Sequence, residues 1–252
     1  MNQKVTSGTK EWADHNVNCI KGCANDCRYC YAKMISKRFG RCTDETWKNM
    51  IISNKLQNKR YPKYNGRVMF PSSHDIVNKQ EIKDVCYDVI FKLIQSENDI
   101  LITTKPDLTV TREILEKFDK YKSNIQFRFT ITSNQNRLLK FWEKNAPLYE
   151  DRLESLKLAY KKGFKTSVSI EPFLDYDPQK LISEIGPFVT ESIWIGPMNY
   201  ISRNNIEEID QLEYLTVRKN YEFDHLKEIY DILKSNPKIR FKDSMKIKLN
   251  LM

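Results

Sequence analysis

Three cysteines, Cys23, Cys27 and Cys30, sit in the stretch GCANDCRYCYAK at spacing C-x3-C-x2-C, and Cys19 stands just upstream. Thiolates are soft ligands suited to zinc and to iron–sulfur clusters. In an oxidising compartment the same thiols would pair as disulfides. A zinc knuckle, a disulfide staple and a cluster loop therefore compete for this stretch. The polar start MNQKVTSGTK lacks a signal-peptide core, and no apolar run approaches the roughly 18–20 residues of a membrane span. Both features predict a cytoplasmic location with no membrane partner. There thiols stay reduced, and clustered cysteines signal metal or catalysis.

A closed zinc site or a fully ligated cubane takes four protein ligands. The motif supplies three, and three thiolates on a four-iron cluster leave one iron open to an outside ligand. Cys19 and His15 are the available fourth ligands. Cys19 falls in a predicted strand, where a small buried side chain is the plain reading. Spacing alone leans toward iron–sulfur and leaves zinc open.

The elements that must carry this loop follow from hydrophobic periodicity. VNCI (17–20) reads as a strand entering the cysteine loop, a helix begins near Tyr31, and Asp44 is a good N-cap for a helix over ETWKNMIISNKL. RVMF (67–70), DILITTK (99–105), IQFRFTIT (125–132), KTSVSI (165–170) and SIWI (192–195) are short β-branched runs ended by proline or polar loops. Between them EIKDVCYDVIFKLI (81–94) keeps a 3.6-residue apolar period that includes Cys86. REILEKFDKY, YEDRLESLKLAYKKG and PQKLISEI also read as helices, Gly163 capping the second of them. FDHLKEIYDILKSN is a further amphipathic helix, and KIRFKDS a last strand.

Six strands alternating with helices predict an α/β architecture, a partial (β/α)6 TIM-type barrel over about 12–200, with a helical and strand extension over about 201–252 in the same domain. Loops at the C-terminal ends of such strands form the working face, and the cysteines lie on the first of them. Hydrophobic residues make up 40% of the 252-residue chain and aromatics 12%, which excludes a disordered chain. The net charge of +9 permits a nucleic acid or another anionic partner. A solvated lysine surface explains it equally well.

The motif resembles that of the radical S-adenosylmethionine (SAM) superfamily. CRYCYA, MFPSSHDI, ILITTKP, FRFTITS, WEKNAPLYEDRLESLKLAYKKGF and TSVSIEP resemble, in that order, the spore photoproduct lyase-like branch and its uncharacterised relatives over roughly residues 12–200. The resemblance implies a [4Fe-4S] cluster on Cys23, Cys27 and Cys30, with SAM on the open iron. It also implies a radical enzyme with an external reductant such as flavodoxin or ferredoxin; the basic charge makes a nucleic acid or nucleotide the leading substrate class, with peptides and small metabolites as alternatives. By the same resemblance Tyr29 lies beside the cluster, Ser73 contacts SAM, and Lys105 faces the methionyl carboxylate. Thr130, Thr132 and Ser133 line the ribose and amino group, and Arg152 and Glu171 are further cofactor contacts. Each has a plainer alternative: a solvated strand end, a strand-forming threonine, a helix-face pair of Arg152 with Glu150 or Glu154, a strand terminator.

His74, beside Asp75 on the predicted active face, is a candidate acid, base or substrate contact. The photoproduct lyase carries a hydrogen-donating cysteine after its second strand. Here Ser72 stands in that position, and a serine O–H bond is far too strong to replace it. Cys42 is the remaining candidate donor, while Lys242 and Asp243 read mainly as a surface pair. Two other functions stay open: a non-catalytic zinc-binding, nucleic-acid-binding module, and an electron carrier with Cys19 as fourth ligand.

Overall fold

The computed structural model describes residues 8–201 and 206–252. Seven strands form one sheet: β1 (His15–Asn16), β4 (Val68–Phe70), β5 (Ile100–Thr104), β6 (Ile125–Thr130), β7 (Lys165–Ile170), β8 (Ile193–Ile195) and β9 (Ile239–Phe241). They lie side by side in that order and every pair is parallel, giving an open half-barrel. β2 (Ile20–Lys21) and β3 (Ile51–Ile52) make a small antiparallel pair apart from it. The helices are α1 (Tyr31–Arg38), α2 (Asn54–Gln57), α3 (Gln80–Gln95), α4 (Leu108–Lys117), α5 (Asn136–Trp142), α6 (Tyr149–Lys161), α7 (Gln179–Ile185), α8 (Gln211–Lys219), α9 (Phe223–Leu233) and α10 (Asp243–Lys248). None is long and apolar enough to cross a membrane.

Alternation along each strand separates two faces. Phe127, Phe129, Val168, Ile170, Ile193 and Ile195 form the apolar face, with Phe127 packed edge-on against Phe164 at 5.5 Å. The other face is polar for its depth. Thr103, Arg128 and Ser167 share one row across β5–β7, and Ser169, Trp194 and Arg240 share another across β7–β9. Trp12, from the N-terminal segment, lies on this concave face against Trp194, ring centroids 6.0 Å apart.

Three segments depart from the sequence reading. The expected helix after Asp44 is instead a 3-10 turn at Trp47–Asn49, strand β3 and the four-residue α2. Met50 takes a left-handed φ of 43°, which breaks the helix, and β-branched Ile51 and Ile52 pair with β2. The expected strand over 17–20 is split: Val17 N–H still bonds Met69 O at 3.0 Å, but Ile20 and Lys21 turn away to β3. β9 is the seventh strand of the main sheet, so the C-terminal extension continues the barrel. Residues 202–205, at the start of that extension, lie outside the described residues.

Candidate active site

β2 leads into the cysteine loop through Gly22, whose φ is +89° and whose missing Cβ would sit 2.3 Å from Trp47 O. Only glycine makes that turn without moving backbone. Cys23 N–H then donates to the same Trp47 carbonyl at 2.9 Å, so the irregular 43–53 segment buttresses the loop. Cys30 ends the loop as N-cap of α1, its sulfur accepting from Lys33 N–H. Arg28 is clasped by α5: its N–H donates to Trp142 O at 2.8 Å, its Nε to Phe141 O at 2.9 Å, and its guanidinium lies 4.2 Å over the Phe141 ring.

Asp75 ties this loop to the next two. Its carboxylate accepts from Asn25 Nδ2 at 2.8 Å on the cysteine loop, from Lys105 N–H at 2.9 Å after β5, and from the Thr104 hydroxyl. His74 is occupied differently. Its Nε2 accepts from Cys19 N–H at 3.3 Å, which leaves Nδ1 to carry the proton toward Asp75 O at 3.2 Å. Cys19 is fully buried, with its sulfur 3.9 Å from the same imidazole, and it hydrogen-bonds Cys86 on α3.

Glu143, just past α5, is the second hub. Although fully buried, it accepts from the Tyr29 hydroxyl, from Thr132 Oγ1 at 2.9 Å and from Arg152 Nη2, and Lys105 Nζ lies 3.9 Å away. Arg152 is completed by Pro147 O and Thr130 O at 2.8 and 3.2 Å, not by Glu150 or Glu154. Burial raises the Glu143 carboxyl, but the Arg152 and Lys105 charges outweigh it and hold the acid below its ordinary value. Burial likewise depresses Lys105, while the Cys27 sulfur and Glu143 more than reverse that. Lys105 Nζ also sits 5.6 Å over the Tyr29 ring.

Around Glu143 and Lys105 the structure thus gathers Cys27, Tyr29, Thr130, Thr132 and Arg152. Ser73 lies apart, its N–H bonded to Asn18 Oδ1 at 2.9 Å. Ser133 hydrogen-bonds Asp175 at 2.7 Å. Glu171 lies 3.6 Å from Lys242, whose ammonium is 2.8 Å from Glu11. Lys242 is therefore an interior ion pair and not a surface one, because Trp12 and Trp194 cover it. Cys42 sits half-buried in the loop after α1. Glu143 and Asn25 were not singled out from the sequence, and Asp75 only as the neighbour of His74.

The three thiols fit a cluster. Burial pushes Cys23 up to about 12, and Cys27 and Cys30 also upward, so none ionises readily without a cation to bind. Cys23 and Cys27 both feel the Cys30 sulfur, and Lys105 acts on all three. Tetrahedral zinc needs sulfurs about 3.8 Å apart, from Zn–S distances of about 2.3 Å. Among the described residues no three Cys, His, Asp or Glu side chains are gathered for a single ion. Three thiols on one loop that burial keeps from ionising alone suit a cationic metal group, and a four-iron cluster takes one thiolate on each of three irons.

A cleft of about 890 Å³ opens beside Cys30, between α1 and the C-terminal segments that carry Met198–Ile201 and Tyr221. Lys33, Lys37 and Lys248 line it, and Tyr31 and Tyr200 stack at its rim with centroids 5.6 Å apart.

A model of the radical SAM superfamily matches residues 17–178. The chain belongs to that superfamily. It is a radical SAM enzyme, and its chemistry is SAM-dependent radical chemistry. An uncharacterized protein of Methanocaldococcus jannaschii is 28% identical over 221 residues, covering 83% of each chain. Among solved structures, a double mutant of spore photoproduct lyase with bound AdoMet and dinucleoside spore photoproduct superposes with a TM-score of 0.57 at 14% identity. That match covers 94% of this chain and 78% of the lyase. A single mutant of the same lyase matches with a TM-score of 0.54, over 95% and 79%. These likenesses establish the half-barrel fold of this radical SAM enzyme.

Proposed function

We propose that this radical SAM enzyme holds a [4Fe-4S] cluster on Cys23, Cys27 and Cys30 and acts on a nucleic acid or nucleotide. The observation that carries the reading is three thiols on the first βα loop, Cys23 and Cys27 buried and Cys30 half-buried, with the Lys105 ammonium acting on all three. A cluster held by Cys23, Cys27 and Cys30 would supply the one-electron reduction of the SAM sulfonium, with flavodoxin or ferredoxin as electron source and methionine and a hydrogen-abstracting 5′-deoxyadenosyl radical as products.

The chain's own groups supply position and charge. Lys105 is a half-buried cation close to Cys27, placed to pair with the methionyl carboxylate. Tyr29, locked by Glu143, offers a fixed ring beside the cluster. Thr130 and Ser133 sit at the end of β6, on the face where the ribose and amino group would rest, while Thr132 and Arg152 act through Glu143. His74 spends both nitrogens inside the fold and so positions Cys19 and Asp75. The lysine-lined cleft with stacked Tyr31 and Tyr200 has the cations and flat rings that bases and phosphates need, which favours the nucleic-acid class.

The test is anaerobic purification, reconstitution with iron and sulfide, reduction with dithionite, and assay of 5′-deoxyadenosine from SAM, with and without single-stranded oligonucleotides. The expected result is a brown protein that cleaves SAM, faster when its substrate is present. A fully loaded cluster that never cleaves SAM, or a colourless protein holding one tight zinc, refutes the reading.

A further inference from the structure

Arg128 lies on the concave face of β6, only 3% exposed, two residues below Thr130. Two strand residues span roughly 6.6 Å, so it sits one layer beneath the edge that would hold SAM. Its Nε donates to Ser167 Oγ at 3.1 Å. Its guanidinium carbon lies 4.7 Å from the Trp12 ring and 5.3 Å from the Trp194 ring. Among the described residues it makes no ion pair, and its Nη1 has no hydrogen-bond partner. A buried guanidinium left this way is costly, and native interiors rarely keep one without a reason.

The unpartnered groups nearby share one bias. Among the described residues, Trp12 Nε1 is a buried donor without an acceptor and Ser169 Oγ a buried hydroxyl without a partner. Gln126 Oε1, on the same face of β6, is the single unpartnered acceptor of the set. Donors outnumber acceptors, as an oxyanion requires. The charge count agrees. Lys242 already engages Glu11 and Glu171, and one ammonium between two carboxylates leaves Glu171, with burial as the main cause, protonated up to about 7. Burial and the Arg67 charge depress Arg128 to about 9, with Glu171 opposing them, so the guanidinium stays charged at neutral pH. Because the two indole rings flank the guanidinium, an anion reaches it through its free Nη1 edge, the direction from which carboxylates and phosphates bind arginine.

We propose that Arg128, Trp12 Nε1 and Ser169 Oγ form an oxyanion-binding subsite inside the half-barrel that anchors a carboxylate or phosphate of the substrate. Its assignment to the substrate rests on the radical SAM reading above. A group anchored there lies beneath the SAM edge and presents the rest of the molecule upward toward it.

The test titrates the cluster-free full chain separately with acetate and inorganic phosphate at constant ionic strength. Tryptophan fluorescence and thermal melting are read, since Trp12 and Trp194 flank the guanidinium. A saturable response to either anion is expected, weakened at least tenfold in Arg128→Lys and several-fold in Ser169→Ala and Trp12→Phe. Saturation by acetate alone assigns a carboxylate, and by phosphate alone a phosphate. A linear response equal in wild type and Arg128→Lys means that water fills the site, and overturns the proposal. Should Arg128→Lys not fold, Ser169→Ala and Trp12→Phe each delete one donor and no charge, and unchanged affinity in both overturns it equally. Failure of the wild-type holoenzyme to cleave SAM refutes the proposed function and leaves the anion result standing.

Discussion

Replacing Glu143 by glutamine tests whether the carboxylate behind the cluster loop is what holds that face together. The side chains of Glu143 and Arg152 are both wholly buried, and Lys105 is nearly so. Glutamine keeps one acceptor oxygen for the Tyr29 and Thr132 hydroxyls but turns an N–H₂ group toward the Arg152 donors. It also leaves two interior cations without a counter-charge. Breaking one partner out of a buried pair costs about 3–5 kcal/mol. Pro147 O and Thr130 O still hold the guanidinium, so the low end applies, about 3 kcal/mol. For a chain of this length about 1 kcal/mol moves the melting temperature by roughly 2–4 °C, so the expected loss is about 6–12 °C. The effect has a pH signature. Glu143 is held below the ordinary 4.5 in the folded state, so its contribution is complete above that value and fades as pH falls through the lower folded value. Urea unfolding of the cluster-free protein, followed by circular dichroism, should show the full gap at pH 7 and a shrinking gap below about 4.5. Equal stability at pH 7, or a gap that does not close in acid, refutes the reasoning. The double variant Glu143→Leu with Arg152→Met removes both charges and should recover part of the loss.

Cys23→Ala, Cys27→Ala and Cys30→Ala should each lose the visible absorbance of the reconstituted cluster, whereas Cys19→Ala keeps it; equal loss in Cys19→Ala would make the protein an electron carrier. Gly22→Ala must shift the Trp47 carbonyl and adopt an unfavourable φ, so a loss of at least about 2 kcal/mol is expected in urea unfolding, with poorer iron loading. Lys105→Met should weaken SAM binding by at least tenfold in isothermal titration, because the carboxylate loses its buried cation. Glu171 is raised to about 7 from 4.5, so the stability it contributes is complete below 4.5 and is lost as pH rises through 7. That window is worth on the order of 3 kcal/mol, and urea midpoints of Glu171→Gln measured from pH 4.5 to 8 should lack that slope.

The strands were legible because each is a β-branched run closed by a proline or polar loop, and KTSVSI maps onto β7 without error. The cysteine motif was legible because ligand spacing is local. What escaped depends on contacts between distant segments. Glu143 ends a short helix and carries no sequence signal of its own; it becomes a hub only when β6 brings Thr132, and the cysteine loop brings Tyr29, to the same carboxylate. Asp75 likewise acquires its role from Asn25, fifty residues upstream. The 43–57 segment misled for the opposite reason: its composition suits a helix, but Gly22 and Cys23 need the Trp47 carbonyl, and that demand overrides helix propensity.

The same distinction bears on how a substrate radical would be quenched. Ser72 stands after β4, at the position that by sequence resemblance corresponds to the donor cysteine of the photoproduct lyase. Its hydroxyl oxygen accepts from Asn18 Nδ2 at 2.9 Å, and its N–H returns a bond to Asn18 Oδ1 at 2.7 Å. The residue is thus built into the loop as a hydrogen-bond partner, a task a thiol performs poorly and a serine well. Cys19 and Cys86 are fully buried in the core, and Cys23, Cys27 and Cys30 are committed to the cluster in the proposed function. Cys42 lies beyond α1 and is not among the residues lining the cleft beside Cys30. In the proposed function the Ser72 O–H bond is too strong to return a hydrogen to a substrate radical, so Ser72 holds the loop and does not act as the donor.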